Sequence, residues 1–257
     1  MAQLPELFDL SGRAAIVTGA SRGIGRAIAE GLAAAGASVV VAARNASLCE
    51  EVAAAITSRG GKAAAVSFDL AESESHAAVV DAAIASFGRL DVLVNNGAIL
   101  KPHFIERVSE EELELLERTN VRGPVLLSRL AFPHLAASGH GAIVNLGAVA
   151  GHSPMKGLGA YGASKAALIS WTRVMAQEWT PKGVRVNGLT PGSVATDMIL
   201  PEDPEKRARF EADMALQNLF GRVAEPSEMV GPVLFLASDA SSYMTGQILV
   251  VDGGLMA

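Results

Sequence analysis

Seven short apolar runs punctuate the 257-residue chain, at 14–19, 37–43, 63–70, 90–96, 141–147, 184–192 and 247–254, and longer stretches of helical composition separate most of them. This alternation is the strongest constraint on the fold. Strands separated by helices pair in parallel through right-handed crossovers. The runs are near-continuously apolar, as in a sheet covered on both faces. Helix stops are expected at Gly36 and Gly60, and an N-cap at Ser109 opens a long helical region running on past Leu127. The expectation is therefore α/β, a single doubly wound domain over residues 1–257, with a seven-stranded parallel sheet and helices on both faces. A charged stretch at 195–220, between the sixth run and the last helix, reads as a substrate lid.

Composition removes other classes. Half the residues are hydrophobic and 19% are charged, which is globular rather than disordered. The single cysteine, Cys49, excludes an intrachain disulfide framework. Net charge is −6 with no basic block, which argues against a nucleic-acid partner. Mean hydropathy is +0.31, yet the longest apolar-looking stretch, 31–43, is too short to span a bilayer. The acidic start lacks the pattern of a secretory signal, so a cytoplasmic protein with no membrane partner is expected. His76, His103, His134, His140 and His152 show no metal-ligand spacing, and no metal site is expected.

The first run opens directly into TGASRGIG, residues 18–25. Glycines at Gly19, Gly23 and Gly25 let a turn close and let backbone approach a pyrophosphate, with Ser21, Arg22 and Ile24 between them. The following helix start offers free N–H groups and a positive dipole end. That placement makes the domain Rossmann-type and dinucleotide-binding. An acid ending the second strand would hold a ribose 2′-hydroxyl; here the chain reads Ala43-Arg44-Asn45, and no acid comes before Glu50. Arg44 and Arg22 are suited to a 2′-phosphate, so NADP(H) is expected over NAD(H).

YGASK places Tyr161 and Lys165 at i and i+4, on one helix face. A neighbouring ammonium favours phenolate, so Lys165 is expected to lower the Tyr161 pKa. TGASRGIG, LDVLVNNGA, Asn120, YGASK, LTPGSVAT and ILVVDGG occur in that order across nearly the whole chain. This set resembles the short-chain dehydrogenase/reductase family, near its 3-oxoacyl-carrier-protein reductases and gluconate 5-dehydrogenases. The resemblance implies carbonyl–alcohol interconversion by hydride transfer. It implies Tyr161 as proton donor or acceptor, Lys165 on the nicotinamide ribose, and Asn120 beside a proton-relay water. It further implies Asp69 and Leu70 at the adenine, and Asn96 with Gly97 and Ala98 along the adenosine ribose. Pro191, Gly192, Val194 and Thr196 would embrace the nicotinamide end. A homotetramer is implied, paired through the helices carrying Asn120 and Tyr161 and the C-terminal segment, with Leu126, Leu127, Trp171 and Val174 as interface or core residues.

Two departures matter. The family serine thirteen residues before the tyrosine is here Ala148, which has no hydroxyl to orient a substrate oxygen. Loss of such a donor typically costs on the order of 10²–10³ in rate. Three readings stay open: a serine replaced by design, a substitute donor in His152 or Ser153, or lost turnover with cofactor binding kept. The last would make the chain a catalytically impaired or non-catalytic NADP-binding scaffold. The second departure, Gly97-Ala98 for the family's Ala-Gly, keeps both residues small. The substrate is expected to be a small carbonyl or alcohol lying among His152, Ser153, Met155, Leu158 and Met198, with Ile199, Leu200 and Met214 nearby. Their apolar character suits a ketone or acyl chain better than a highly polar sugar.

Overall fold

The computed structural model describes residues 4–257, and residues 1–3 of the expected domain lie outside the described residues. Seven strands, β1 (Ala14–Thr18), β2 (Ser38–Ala43), β3 (Lys62–Ser67), β4 (Val92–Asn95), β5 (Ala142–Leu146), β6 (Arg185–Pro191) and β7 (Ile248–Val251), form one sheet in the order β3-β2-β1-β4-β5-β6-β7. Every pairing is parallel, with Val17 opposite both Val41 and Val94. The order reverses between β1 and β4, which opens a crevice beyond the carboxyl ends of those strands.

The chain's helices are α1 (Leu4–Leu7), α2 (Gly23–Ala34), α3 (Ala46–Ser58), α4 (His76–Phe87), α5 (Glu110–Glu117), α6 (Gly123–Ser138), α7 (Gly159–Trp179), α8 (Pro204–Ala215) and α9 (Val230–Ala237). Residues on each strand alternate between two cores. Ala15, Val17, Val39 and Val41 pack with α2, α3 and α9 through Ile28, Leu32, Val52, Ile56 and Val233. Ile16, Val40 and Leu93 face the other way, onto Val79 of α4, Leu127 and Leu135 of α6, and Met175 of α7. Each such fully buried aliphatic side chain contributes about 1.5–3 kcal/mol. The two-sided burial is why the strands carry so few polar residues.

Three expectations change. The long helical region after Ser109 is not one helix. Ser109 caps α5 through a capping box with Glu112, but a π-helical turn, Arg118–Arg122, separates α5 from α6. The Gly123 amide reaches back five residues to the Arg118 carbonyl. Pro124 has no amide to bond the Asn120 carbonyl four residues earlier, which leaves that carbonyl out of the α-helical ladder where the turn widens. The third strand ends at Ser67, and Phe68, Asp69 and Leu70 leave the sheet. Leu127 is fully buried and belongs to the core, whereas Trp171 (43% exposed) and Val174 remain at the surface.

Candidate active site

The site grows from the switch point. β1 ends at Thr18, and Gly19 turns the chain with φ of 64°. A Cβ on Gly19 would lie 2.8 Å from the Gly97 Cα, and one on Gly25 would strike the Gly19 carbonyl. These glycines are demanded by close backbone approach, not by loop flexibility. Thr18 and Asn96 weld the strand ends together. The Thr18 Oγ1 accepts from the Asn96 and Gly97 amides at 3.0 and 2.9 Å, and the Asn96 Nδ2 donates to the Thr18 carbonyl at 2.9 Å. The Asn96 side chain therefore holds the turn, leaving Gly97 and Ala98 to form the surface beside it.

A cleft of 440 Å³ runs over the carboxyl ends of the strands. Its wall includes every residue expected to bind the cofactor, from the glycine turn through Arg44, Asn45, Asp69 and Leu70 to Pro191, Gly192, Val194 and Thr196. Arg22 and Arg44 stand exposed at this end. Arg22 lies 3.6 Å from Asp197, an exposed pair of little energetic weight. Asn45 caps α3 by accepting from the Leu48 amide at 3.1 Å. Sequence reasoning missed Thr18, Leu48, Phe68, Ile99, Leu115 and Thr119 on the wall. Thr18 is the first residue of the glycine motif and Leu48 follows shortly after Arg44 and Asn45; Leu115 and Thr119 enter only through tertiary packing.

The other end holds Ala148, Tyr161 and Lys165. Both Tyr161 and Lys165 ride on α7, one turn apart. Lys165 is almost wholly buried, and its Nζ donates to the Leu146 carbonyl at 2.7 Å. Burial pushes this ammonium down to about 8. Nζ sits 5.8 Å from the centre of the Tyr161 ring. Burial pushes the Tyr161 phenol up to about 12, the opposite of the lowering expected from Lys165. The correction has a plain cause: the ammonium points at a backbone carbonyl, and desolvation of the phenolate dominates.

Asn120 is fully buried and absent from the wall. Its Oδ1 accepts from the Ile99 amide at 2.9 Å, and its Nδ2 donates to the Ile99 carbonyl at 2.9 Å and the Ser164 Oγ at 3.1 Å. The side chain thus clamps the loop after β4 to α7 and has no donor to spare for a relay water. Of the residues expected at the substrate, Met198 lines the cleft, while His152, Ser153, Met155 and Leu158 do not. The His152 Nε2 is engaged with the Thr190 Oγ1 at 2.9 Å. Among the described residues, no group of three or more acidic, histidine or cysteine side chains is placed to hold a metal, and no helix is long and apolar enough to cross a membrane.

A glycine cradle at a sheet reversal, with a tyrosine and a buried lysine on the opposite wall, belongs to the nucleotide-dependent α/β oxidoreductases. Residues 19–256 match the family model described as enoyl-(acyl carrier protein) reductase. The chain belongs to that family, the short-chain dehydrogenases/reductases, and is an oxidoreductase. It is 37% identical over 256 residues to gluconate 5-dehydrogenase of Gluconobacter oxydans, covering 98% of this chain and 97% of that one. It resembles the crystal structure of a gluconate 5-dehydrogenase from Burkholderia cenocepacia in complex with NADP and tartrate (TM-score 0.92, 34% identity, 99% of both chains). It also resembles an NADP-bound 3-oxoacyl (acyl-carrier-protein) reductase from Agrobacterium tumefaciens (TM-score 0.92, 33% identity, 98% of this chain and 97% of that chain).

Proposed function

We propose that the protein is an NADP(H)-dependent oxidoreductase that interconverts a small-molecule carbonyl and a secondary alcohol. The observation that carries this reading is the single cleft with two arginines at one end and Tyr161 with Lys165 at the other. The residues present fit the cofactor. The glycine turn is a cradle that a Cβ at Gly19 or Gly25 would fill, and α2 begins directly behind it. No carboxylate ends β2 to repel a 2′-phosphate, and Arg44 and Arg22 would hold one. Both neighbouring crystal structures named above contain NADP.

NADPH supplies the hydride when bound. The chain's own part is the proton. A phenol pushed up to about 12 carries its proton at neutral pH, ready to donate to the oxygen of a carbonyl under reduction. In oxidation the same phenol must first ionise to accept the alcohol proton. Lys165, pinned by the Leu146 carbonyl, keeps a positive charge under the reacting end at neutral pH. Asn120 positions α7 through Ser164, whose Oγ donates to the Tyr161 carbonyl at 2.7 Å. Residues 195–220, carrying α8 with its Asp203 cap, form a lid, and Met198 and Ile199 at its root meet the substrate.

Ala148 favours a second reading, a cofactor-binding protein with weak or no turnover. Trp171 and Val174 on α7 and Leu130 on α6 support assembly into a homotetramer, which light scattering tests. The functional test is kcat/KM over a panel of ketones, β-ketoacyl thioesters and polyols, with both cofactors. Higher kcat/KM with NADPH than NADH is expected. A preference for NADH contradicts the arginine assignment, and NADPH binding without turnover on any compound favours the second reading.

A further inference from the structure

The wall at the Arg44 end of the cleft includes Phe68, Asp69 and Leu70, residues that have already left the sheet. What fixes them is a set of local bonds. The Phe68 amide donates to the Ala43 carbonyl at 3.1 Å, and the Ser75 Oγ donates to the Asp69 carbonyl at 2.8 Å. Leu70 is held from two sides. A Cβ on Gly123 would strike its carbonyl oxygen, so the start of α6 presses directly against it. The His76 Nε2, at the first residue of α4, reaches the same carbonyl at 3.0 Å.

His76 is 1% exposed and stands edge-on to the Phe68 ring, with centroids 6.1 Å apart. A carbonyl only accepts, so Nε2 carries the hydrogen and Nδ1 is an acceptor. That Nδ1 is buried without a hydrogen-bond partner. An apolar side chain here would remove the unpaired Nδ1, since buried polar groups are normally satisfied, but it would take the His76 donor from the Leu70 carbonyl. The histidine's compensating contact is the one to Leu70. None of its atoms lies on the cleft wall.

We propose that His76 is a positioning residue for the nucleotide-base end of the cleft. By tethering the Leu70 carbonyl to α4, it holds Phe68 and Leu70 in the place where an adenine ring packs. The proposal rests on the cofactor reading above, but only on its adenosine half.

The test compares His76→Leu and His76→Gln with the unaltered protein by titration calorimetry, using ADP and adenosine 2′,5′-bisphosphate as probes. His76→Leu is expected to weaken both ligands by the same factor, about fivefold to tenfold, as for loss of one buried tether. His76→Gln, which still offers an N–H donor, restores binding to within about twofold. The turnover number at saturating NADPH stays unchanged. Nitrogen NMR of the unaltered protein keeps the question open to refutation even if His76→Leu does not fold: ADP is expected to shift the His76 ring signals. Wild-type ADP affinity in His76→Leu, or unmoved ring signals on ADP binding, overturns the proposal. Tighter binding of 5′-AMP than of the bisphosphate by the unaltered protein, two ligands that differ only by the 2′-phosphate, instead overturns the 2′-phosphate assignment, while the ADP arm still decides on His76.

Discussion

The two ends of the cleft are made of different material. The nucleotide end is largely backbone: a glycine turn, the start of α2, and strand ends welded by Thr18 and Asn96. The reacting end is side chain: Tyr161 and Lys165 on α7, with Ala148 facing them from the end of β5. A backbone site tolerates many side chains, provided nothing intrudes on the close approaches. A side-chain site changes its chemistry with one substitution, and Ala148 stands where the family resemblance places a serine. The first end is therefore a question of fit and the second a question of protonation and hydrogen bonding.

The sharpest way to separate them is Ala148→Ser. Placing a hydroxyl at 148, on the wall that also carries Tyr161, is expected to raise kcat on the order of 10²-fold, with cofactor KM unchanged. No gain in steady-state turnover would mean that the reacting end already has another donor. Gly25→Ala strikes the other end. Its methyl would collide with the Gly19 carbonyl and the Asn96 amide, and NADPH affinity should fall about tenfold to hundredfold by calorimetry. Wild-type affinity would show that the turn can yield. Arg44→Ala should raise KM for NADPH about tenfold or more and leave KM for NADH unchanged, as expected for one charge-assisted phosphate contact. Equal effects on both cofactors would remove the 2′-phosphate role.

The contrast also explains what could be read from sequence. The parallel sheet and the glycine turn were legible because they follow from local periodicity and from glycines at fixed offsets, whereas Asp69, Leu70, Asn96 and the 191–196 stretch came only from the family resemblance. The reacting end was legible as a motif but not as chemistry. Nothing in YGASK says that Lys165 turns to the Leu146 carbonyl, or that burial outweighs its charge at Tyr161. The π-helical turn at Asn120 was hidden in an otherwise helical stretch, although Pro124 was a visible sign of it. His152 and Ser153 stand near Ala148 in sequence, yet neither is on the cleft wall and His152 is bonded to Thr190. Phe68 and Leu115 reach the wall by packing alone.

The smallest expected effect concerns stability and pH. Burial holds Lys165 at about 8, below the ordinary lysine value of 10.5. Just above pH 8 the native protein therefore binds fewer protons at this site than the unfolded chain, and stability rises with pH. Between about pH 8 and 9 the rise from this site alone should be about 1 kcal/mol, opposed in part over the same range by Cys49, whose thiol burial raises. Denaturant melts of Lys165→Met should lack it. The same deprotonation should lower kcat as pH climbs through about 8. A pH-independent difference between the two proteins would mean that Lys165 is not held down by burial.

The most direct test is single-turnover oxidation of bound NADPH by an excess of a reactive ketone, compared between the unaltered protein and Tyr161→Phe. The expected result is equal NADPH affinity and a hydride-transfer rate reduced about 10²–10⁴-fold in the variant. Equal rates in the two proteins would contradict the assignment of the proton to Tyr161.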